Sequence, residues 1–553
     1  MRSSTVPFYP SQLFIELRTL EFITRWLSEL SSIFNPALER LNIDVDKLTD
    51  LLVYDPAQPL LFNTGLFMVL FVLFLAVYRL LGGFRVAKMI FVILFSLYFY
   101  YKSSGVYCLI LIGVCLSDYI LGLCMQQSVG EGRGKAFLRK FIVFLNVGIN
   151  IGMLAYFKYF NLIIDTFSQF FNTRIDAMTL LLPAGISFFT FRSISYIVDI
   201  YRGEIKACRN LLDYMFFLTF FPPLLAGPVV RAKDMLPQIK ANPSPTREMT
   251  SEGIFLIITG LVKKVIIADF ISGNFVDRVF DNPALYSGFE NLMATFGFTI
   301  QLYCDFSGYS DMAIGIALLL GYRFKENFNA PFKAQNPTEF WHRWHISLST
   351  WLRDYVYIPL GGNRCSRPRA YFNQFATMVI GGLWHGASWM YVIWGAVHGV
   401  LLVIHKMLRS VLRMSASGAV VTGDGELMMI SATQKPSSWM RGVNALFTFV
   451  LIALVFMLFR APSMEDVGMM WHQIIFDFHI SVAPQFVGGY LTIVVAMAAG
   501  YLLHISPSSW TCRLRALFDA SPVIVQALVL ALVLLIVIQV RQSDIVPFIY
   551  LQY

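Results

Sequence analysis

The chain has 553 residues, of which 57% are hydrophobic, 15% aromatic and only 14% charged, with a net charge of +9 and a mean hydropathy of +0.62. Soluble domains carry roughly 25% charged residues, so this composition excludes a single water-soluble core. Apolar runs of about 20 residues recur along the chain and predict an all-α polytopic membrane protein in contact with membrane lipids. The runs are continuous and not alternating, which excludes a β-barrel. The positive charge gathers in short loops, as cytoplasm-facing connections do, and predicts no nucleic-acid partner.

Residues 1–58 stand apart, with five basic and eight acidic residues giving −3. Leu13, Leu17, Leu20, Ile23, Leu27 and Leu30 fall at helical spacing and predict an amphipathic helix over 11–34. Acidic residues interrupt the apolar positions, so a cleavable signal peptide is not expected. The segment reads as an interfacial or partner-facing extension to a membrane domain over 59–553.

The first span is expected near 62–81, followed by Arg79, Arg85 and Lys88. Segments near 88–101 and 106–124 form a pair, and Arg133, Lys135, Arg139 and Lys140 follow. Two basic loops separated by two spans lie on one side, which should be the cytoplasm, leaving residues 1–58 outside. Further apolar segments lie near 140–160, 177–200, 210–230, 252–272, 288–304, 309–322, 373–405, 441–459, 486–505 and 522–541. The expectation is about eleven transmembrane helices plus short re-entrant or interfacial ones. Pro183, Pro222, Pro223, Pro228, Pro331 and Pro359 break several segments, which membrane-depth backbone tolerates only inside protein or beside a wet cavity. Residues 410–440 read as a mobile polar loop.

Five of the eight histidines fall between residues 342 and 405. Histidine is costly at membrane depth and moves protons near neutral pH, so this cluster is the place to look for chemistry. Residues 337–357 predict one helix, with Pro337 and Thr338 at its start and Glu339 in the first turn. Trp341, Trp344, His345, Leu348, Trp351, Leu352 and Tyr355 share one side, and Arg343, Ser347, Thr350 and Asp354 fall largely on the other. Such a helix lines a funnel or forms a tryptophan-rich interfacial belt. His385 lies beside Gly381, Gly382 and Gly386, small residues that permit close helix approach or leave room for a substrate chain. His398 lies about 220° away around a continuous helix and so reads as structural, as do His405, His472, His479 and His504. His342 and His345 lack a third ligand at a fixed spacing, so no metal is expected. The seven cysteines form no CxxC motif and read as buried hydrophobes. No GxSxG motif or phosphate-binding loop occurs.

The segments LPAGISFFTFRSISYIVDIYRG (182–203), NLLDYMFFLTFFPPLLAGPVVRAKDMLPQ (210–238), IQLYCDFSGYSDMAIGIALLLGYRFKENFNAPF (300–332), FWHRWHISLSTWLRDYVYIPLGGNR (340–364) and GGLWHGASWMYVIWGAVHG (381–399) resemble the membrane-bound O-acyltransferase (MBOAT) family. Within it they are most similar to the bacterial branch of alginate O-acetylation membrane proteins, which also includes the teichoic-acid D-alanylation protein. The resemblance begins near residue 60. It implies an MBOAT-type helical bundle around a central funnel, with His385 as catalytic base and His345 orienting the acceptor or stabilising an oxyanion. Burial should keep both imidazoles neutral. Asp305, Ser307, Tyr309, Asp311, Trp341, Arg343, Trp344, Arg353 and Trp384 are the residues expected along the substrate path. Arg343 and Arg353 are placed to meet an acidic donor or carrier.

No cofactor is expected to be tightly bound. The donor substrate is an acyl thioester, acetyl-CoA or an acyl carrier phosphopantetheine, and an acyl carrier protein is one candidate partner. An extracytoplasmic partner with a serine-hydrolase-like (SGNH-type) site would complete transfer to a polysaccharide, docked by the acidic extension. The implied location is the bacterial cytoplasmic (inner) membrane. Acyl transfer to another envelope polymer, a proton-coupled transporter and an export scaffold are the alternatives.

Overall fold

The structure, a computed structural model, describes residues 50–540 apart from residues 131, 174, 179–180, 422–426 and 432–436. The amphipathic helix expected over 11–34, and with it most of the N-terminal extension, lies outside the described residues.

Helices make up almost all of the regular structure. Among the described residues, five stretches are long and apolar enough to cross a membrane: Arg85–Gln127, Arg133–Phe157, Trp389–Val411, Ser438–Arg460 and Val523–Val540. The count becomes six if Ile480–Gly489 and Leu491–Ile505, bent by 95°, form one span. Arg85–Gln127 is itself divided at the turn Gly105–Tyr107 into two 20-residue helices. Gly105 adopts φ 57° there, a conformation open to glycine at little cost.

The expectation of about eleven spans is therefore met only in part. The segment near 210–230 gives the nine-residue helix Leu211–Thr219, which ends ahead of Pro222 and Pro223. The segment near 177–200 gives Ile186–Arg202, which buries Arg192 and Asp199 among its apolar residues. The two segments expected at 288–304 and 309–322 form one 32-residue helix, Gly288–Leu319. Ser287 and Glu290 start it with a reciprocal capping box. Polar residues along its length lower its apolarity, and protein surrounds it.

Small residues set a close crossing in the core. A Cβ on Gly260 would lie 2.6 Å from the Gly308 carbonyl oxygen. Only glycine lets Arg247–Leu261 and Gly288–Leu319 approach so closely.

Contacts divide the bundle into two ends. At one, Arg85 pairs with Asp213 at 3.0 Å. Arg139 donates to the Tyr201 carbonyl at 2.5 Å, and Tyr78 Oη donates to the Leu320 carbonyl at 2.7 Å. Both basic loops predicted to share a side lie here. At the opposite end, Ser104 Oγ accepts from the Ala184 amide at 3.0 Å, and Lys158 reaches Ser187 at 3.4 Å. Within the 410–440 segment, Ser417–Val421 and Leu427–Ser431 pair as an antiparallel ribbon, the one small departure from an all-helical architecture among the described residues.

Candidate active site

The predicted 337–357 helix is broken where the chemistry is expected. Pro337–Arg343 and Ile346–Leu352 are separate seven-residue helices, and a π-helical turn follows at Arg353–Tyr357. His345 sits at the break with φ 42° and ψ 56°, a left-handed conformation. A non-glycine residue held there costs about 1–3 kcal/mol and needs support from its surroundings.

Asn327 supplies that support. Its carbonyl accepts from the Ile346 amide at 2.9 Å. Its Oδ1 accepts from the Ser347 amide at 3.2 Å and from Ser347 Oγ at 2.8 Å, and lies 3.2 Å from His345 Nδ1. Its Nδ2 donates to Ser310 Oγ at 3.1 Å, and the Ser347 amide, which can only donate, fixes the orientation of the side-chain amide. An amide oxygen only accepts, so His345 Nδ1 carries the proton and Nε2 presents a lone pair. Nε2 is buried with no hydrogen-bond partner among the described residues. His345 is 0% exposed, and burial pushes its imidazole down to about 3.

His385 ends the helix Arg367–His385. The chain then turns back into the helix that begins at Trp389. A Cβ on Gly382 would collide with the Tyr391 carbonyl and lie 2.9 Å from Gly395 Cα. A Cβ on Gly386 would collide with the Tyr391 ring. The small residues beside His385 thus admit the neighbouring helix, and the space they leave holds no substrate chain. The chain reversal also removes the premise that set His398 aside: His385 and His398 lie on two helices, and both rings pack against Trp394, at 5.0 and 4.6 Å between centroids.

Trp384 brings the two expected catalytic residues together. Its ring lies 6.0 Å from His345 and 5.1 Å from His385, and its Nε1 donates to the Ser187 carbonyl at 3.3 Å. Lys158 Nζ donates to the carbonyls of Trp384 at 2.7 Å and His385 at 3.2 Å. Tyr159 Oη donates to the Leu383 carbonyl at 2.8 Å. The orphan carbonyls at the end of the His385 helix are therefore held by the end of the preceding span. Sequence reasoning missed Lys158 and Asn327. Asn327 lay in the quoted motif ENFNAPF, but no spacing rule marks it.

Cavities approach this pair from both ends. One of about 190 Å³, at the end away from the basic loops, is lined by Tyr54, Lys158, Pro183, Ser187 and Trp384. At the basic end, a cleft of about 430 Å³ is lined by Trp341, His342, Ile346, Arg353, Lys406 and Arg409, among others. Another of about 670 Å³ is lined by Arg231, Arg323, Ser347, Arg353 and Asp354, among others. The helix Ile346–Leu352 lies between these two. Trp384, and not His385 itself, lines the first cavity, and Ile346 and Ser347 adjoin His345.

The other expected path residues divide. Trp341 lines a cleft. Trp344 is 1% exposed and packs on Phe328, Phe340 and Phe456 in the core. Asp305 pairs with Lys264 at 2.5 Å and Asp311 with Lys263 at 2.7 Å, tying neighbouring helices together. Ser307 and Tyr309 are buried in the same helix. Arg343 pairs with Glu339 at 2.9 Å. Arg353 lines both basic clefts and pairs with Asp354 at 2.7 Å, while Arg231 holds the other Asp354 oxygen at 2.6 Å. Burial opposes ionisation of Asp354, but the hydrogen bonds from Arg353 and Arg231 outweigh it and keep the carboxyl below the usual range.

Comparison with known proteins identifies the family. The family model described as MBOAT, membrane-bound O-acyltransferase family, matches residues 204–420. A Pseudomonas aeruginosa protein called "Probable alginate O-acetylase AlgI" is 40% identical over 414 residues, 73% of each chain. One of the same name from Pseudomonas putida is 36% identical over 520 residues, covering 89% of this chain and 100% of the other. A Helicobacter pylori protein called "Peptidoglycan O-acetyltransferase" is 34% identical over 439 residues, covering 74% of this chain and 78% of the other. The chain belongs to the membrane-bound O-acyltransferase family and is a membrane-embedded acyltransferase.

Proposed function

We propose that the protein moves an acetyl group from a cytoplasmic thioester toward an exported or cell-surface polysaccharide, which becomes O-acetylated. The observation that carries this reading is the contact of both His345 and His385 with Trp384, between a cavity at one end of the bundle and basic clefts at the other. With the basic loops cytoplasmic, the clefts receive the donor, acetyl-CoA or an acyl phosphopantetheine on a carrier protein, and the opposite cavity admits the acceptor hydroxyl. The inner membrane is the proposed location. In this reading Gly288–Leu319 and its packed neighbours also traverse the bilayer, raising the span count toward eleven.

His385 removes the hydroxyl proton as the oxygen attacks the thioester carbonyl carbon. The new C–O bond forms, the C–S bond breaks, and the proton passes from His385 to the departing sulfur. General-base action of this kind contributes roughly 10²–10⁴-fold. His345, with Nε2 unprotonated, accepts a hydrogen bond from a neighbouring hydroxyl of the acceptor sugar and so orients the one that reacts. Of the two roles the resemblance implied for His345, this tautomer fits orientation and not donation to an oxyanion. The partners proposed are an SGNH-hydrolase-like protein outside, docked by residues 1–58, and a carrier protein inside.

The test is mass analysis of surface glycans from cells that express the native chain, none, or His385→Ala. An acetyl ester present only with the native chain is expected, with the variant inserted at normal levels. Equal ester content in all three defeats the reading. An alanyl ester in its place would identify a different acyl donor.

A further inference from the structure

One cluster of buried polar atoms is left unexplained by the roles given above. Trp341, Trp394 and His398 form a triangle of rings with centroids 5.8, 4.6 and 5.1 Å apart. Trp341 Nε1, Trp394 Nε1 and both ring nitrogens of His398 are buried with no hydrogen-bond partner among the described residues. Trp394 is 1% exposed and His398 0%. A buried donor without an acceptor is costly, and each one calls for an explanation. Here three donors and one acceptor, the second nitrogen of a neutral His398, sit unpaired on three touching rings.

Two further observations say what the cluster receives. Trp341 lines the cleft rimmed by Arg353, Lys406 and Arg409, so the triangle is approached from the basic end, where a phosphate-bearing donor fits. Trp394 packs edge-on against His385, the proposed base, at 5.0 Å. Indole N–H groups only donate, so the complementary ligand atom is an acceptor.

We propose that Trp341 and Trp394, backed by His398, form the seat for the carbonyl oxygen of the acyl thioester. The inference rests on the acyl-transfer reading above and specifies how the donor is held. When the acceptor oxygen bonds to the carbonyl carbon, the C=O π pair moves onto the seated oxygen, and the two indole N–H groups stabilise that charge. The pair returns as the C–S bond breaks, and the sulfur takes the proton from His385. The donors are fixed before the reaction, so they need little reorganisation as charge develops.

The test is Trp394→Phe, which keeps an aromatic ring and removes the N–H, with Trp341→Phe as its companion. The readouts are the initial rate of ester accumulation on surface glycans at matched membrane levels, and thermal stability in detergent. Loss of one preorganised donor is expected to slow ester formation roughly 10²–10³-fold. Stability is expected to hold or rise, because an orphan buried donor has been removed. A merely structural role, such as binding a buried water, predicts the reverse, a less stable protein that keeps its rate. That result overturns the seat, as does a native rate in either variant. If one variant does not accumulate, the other decides. If the native chain itself produces no ester, the acyl-transfer reading fails and the seat falls with it, an outcome distinct from active Trp variants.

Discussion

His345 combines a strained backbone, a fixed tautomer and a buried ring; the first two trace to Asn327, and Phe306, Phe328 and Trp384 cover the ring. The amide oxygen of Asn327 meets three donors at once, from Ser347 N, Ser347 Oγ and His345 Nδ1. Holding His345 neutral has a thermodynamic signature. Its pKa is about 3 in the folded state, against about 6.5 in an unfolded chain. Between those values the unfolded state binds more protons, so this residue makes stability rise with pH through that window and leaves it flat above. His345→Gln removes the contribution. The stability difference between native and variant protein is expected to grow by up to about 1.4 kcal/mol per pH unit between pH 4.5 and 6, read from detergent melting curves. A difference independent of pH would show that the ring is not held neutral. The sequence made His345 and His385 visible, because imidazoles among tryptophans in an apolar chain are costly unless used. Asn327 and Lys158 stayed hidden, because each acts on groups that no local spacing links to it, Asn327 on His345 and Ser347 18 and 20 residues on and Lys158 on a carbonyl 226 residues away.

The element that places His385 is the pair Arg367–His385 and Trp389–Ala416, pressed together at Gly382 and Gly395. The sequence indicated close helix approach here, but it left open whether 373–405 was one span or two. That ambiguity misplaced His398. A turn of three residues, 386–388, moves it from the far side of a continuous helix to the same tryptophan that His385 touches. Two neighbouring glycines separate the functions of this contact. A methyl at Gly382 meets the Tyr391 carbonyl and backbone, which cannot yield without moving the helix. A methyl at Gly381 meets only Leu352 Cδ1 at 3.0 Å, the end of a flexible side chain. Gly382→Ala is therefore expected to reduce ester formation at least about 10-fold, since small misplacements of reacting groups cost that much or more. Gly381→Ala should retain most activity. Surface-ester assays on membranes with equal protein content compare them, and equal activity in the two variants would mean that the helix contact does not set the position of His385.

Across the whole molecule, direction is the property that matters, because in the proposed function a donor and an acceptor meet from opposite sides. The positive loops carry the expected direction, whereas the number of spans was not legible, since buried helices such as Gly288–Leu319 carry polar residues. The two ends can be told apart with the protein's own thiols. Against the expectation that the cysteines are buried, Cys365 and Cys512 are exposed, as is Cys124 within the span Arg85–Gln127. Cys365 follows the turn that carries Arg353. Cys512 lies in the helix Ser508–Ala520, where Arg515 pairs with Glu252 at 3.0 Å and Glu252 with Arg323 at 3.2 Å. Both therefore belong to the basic end. Gln58 is exposed beside Pro56 and Pro59, which line the cavity at the other end. With the basic end in the cytoplasm, a membrane-impermeant maleimide applied to intact cells should leave the native chain unlabelled at Cys365 and Cys512 and should label Gln58→Cys. After the membrane is permeabilised, all three sites should react. Labelling of Cys365 in intact cells, with Gln58→Cys protected, would invert the orientation and would place the basic clefts on the acceptor's side, where a cytoplasmic thioester cannot reach them.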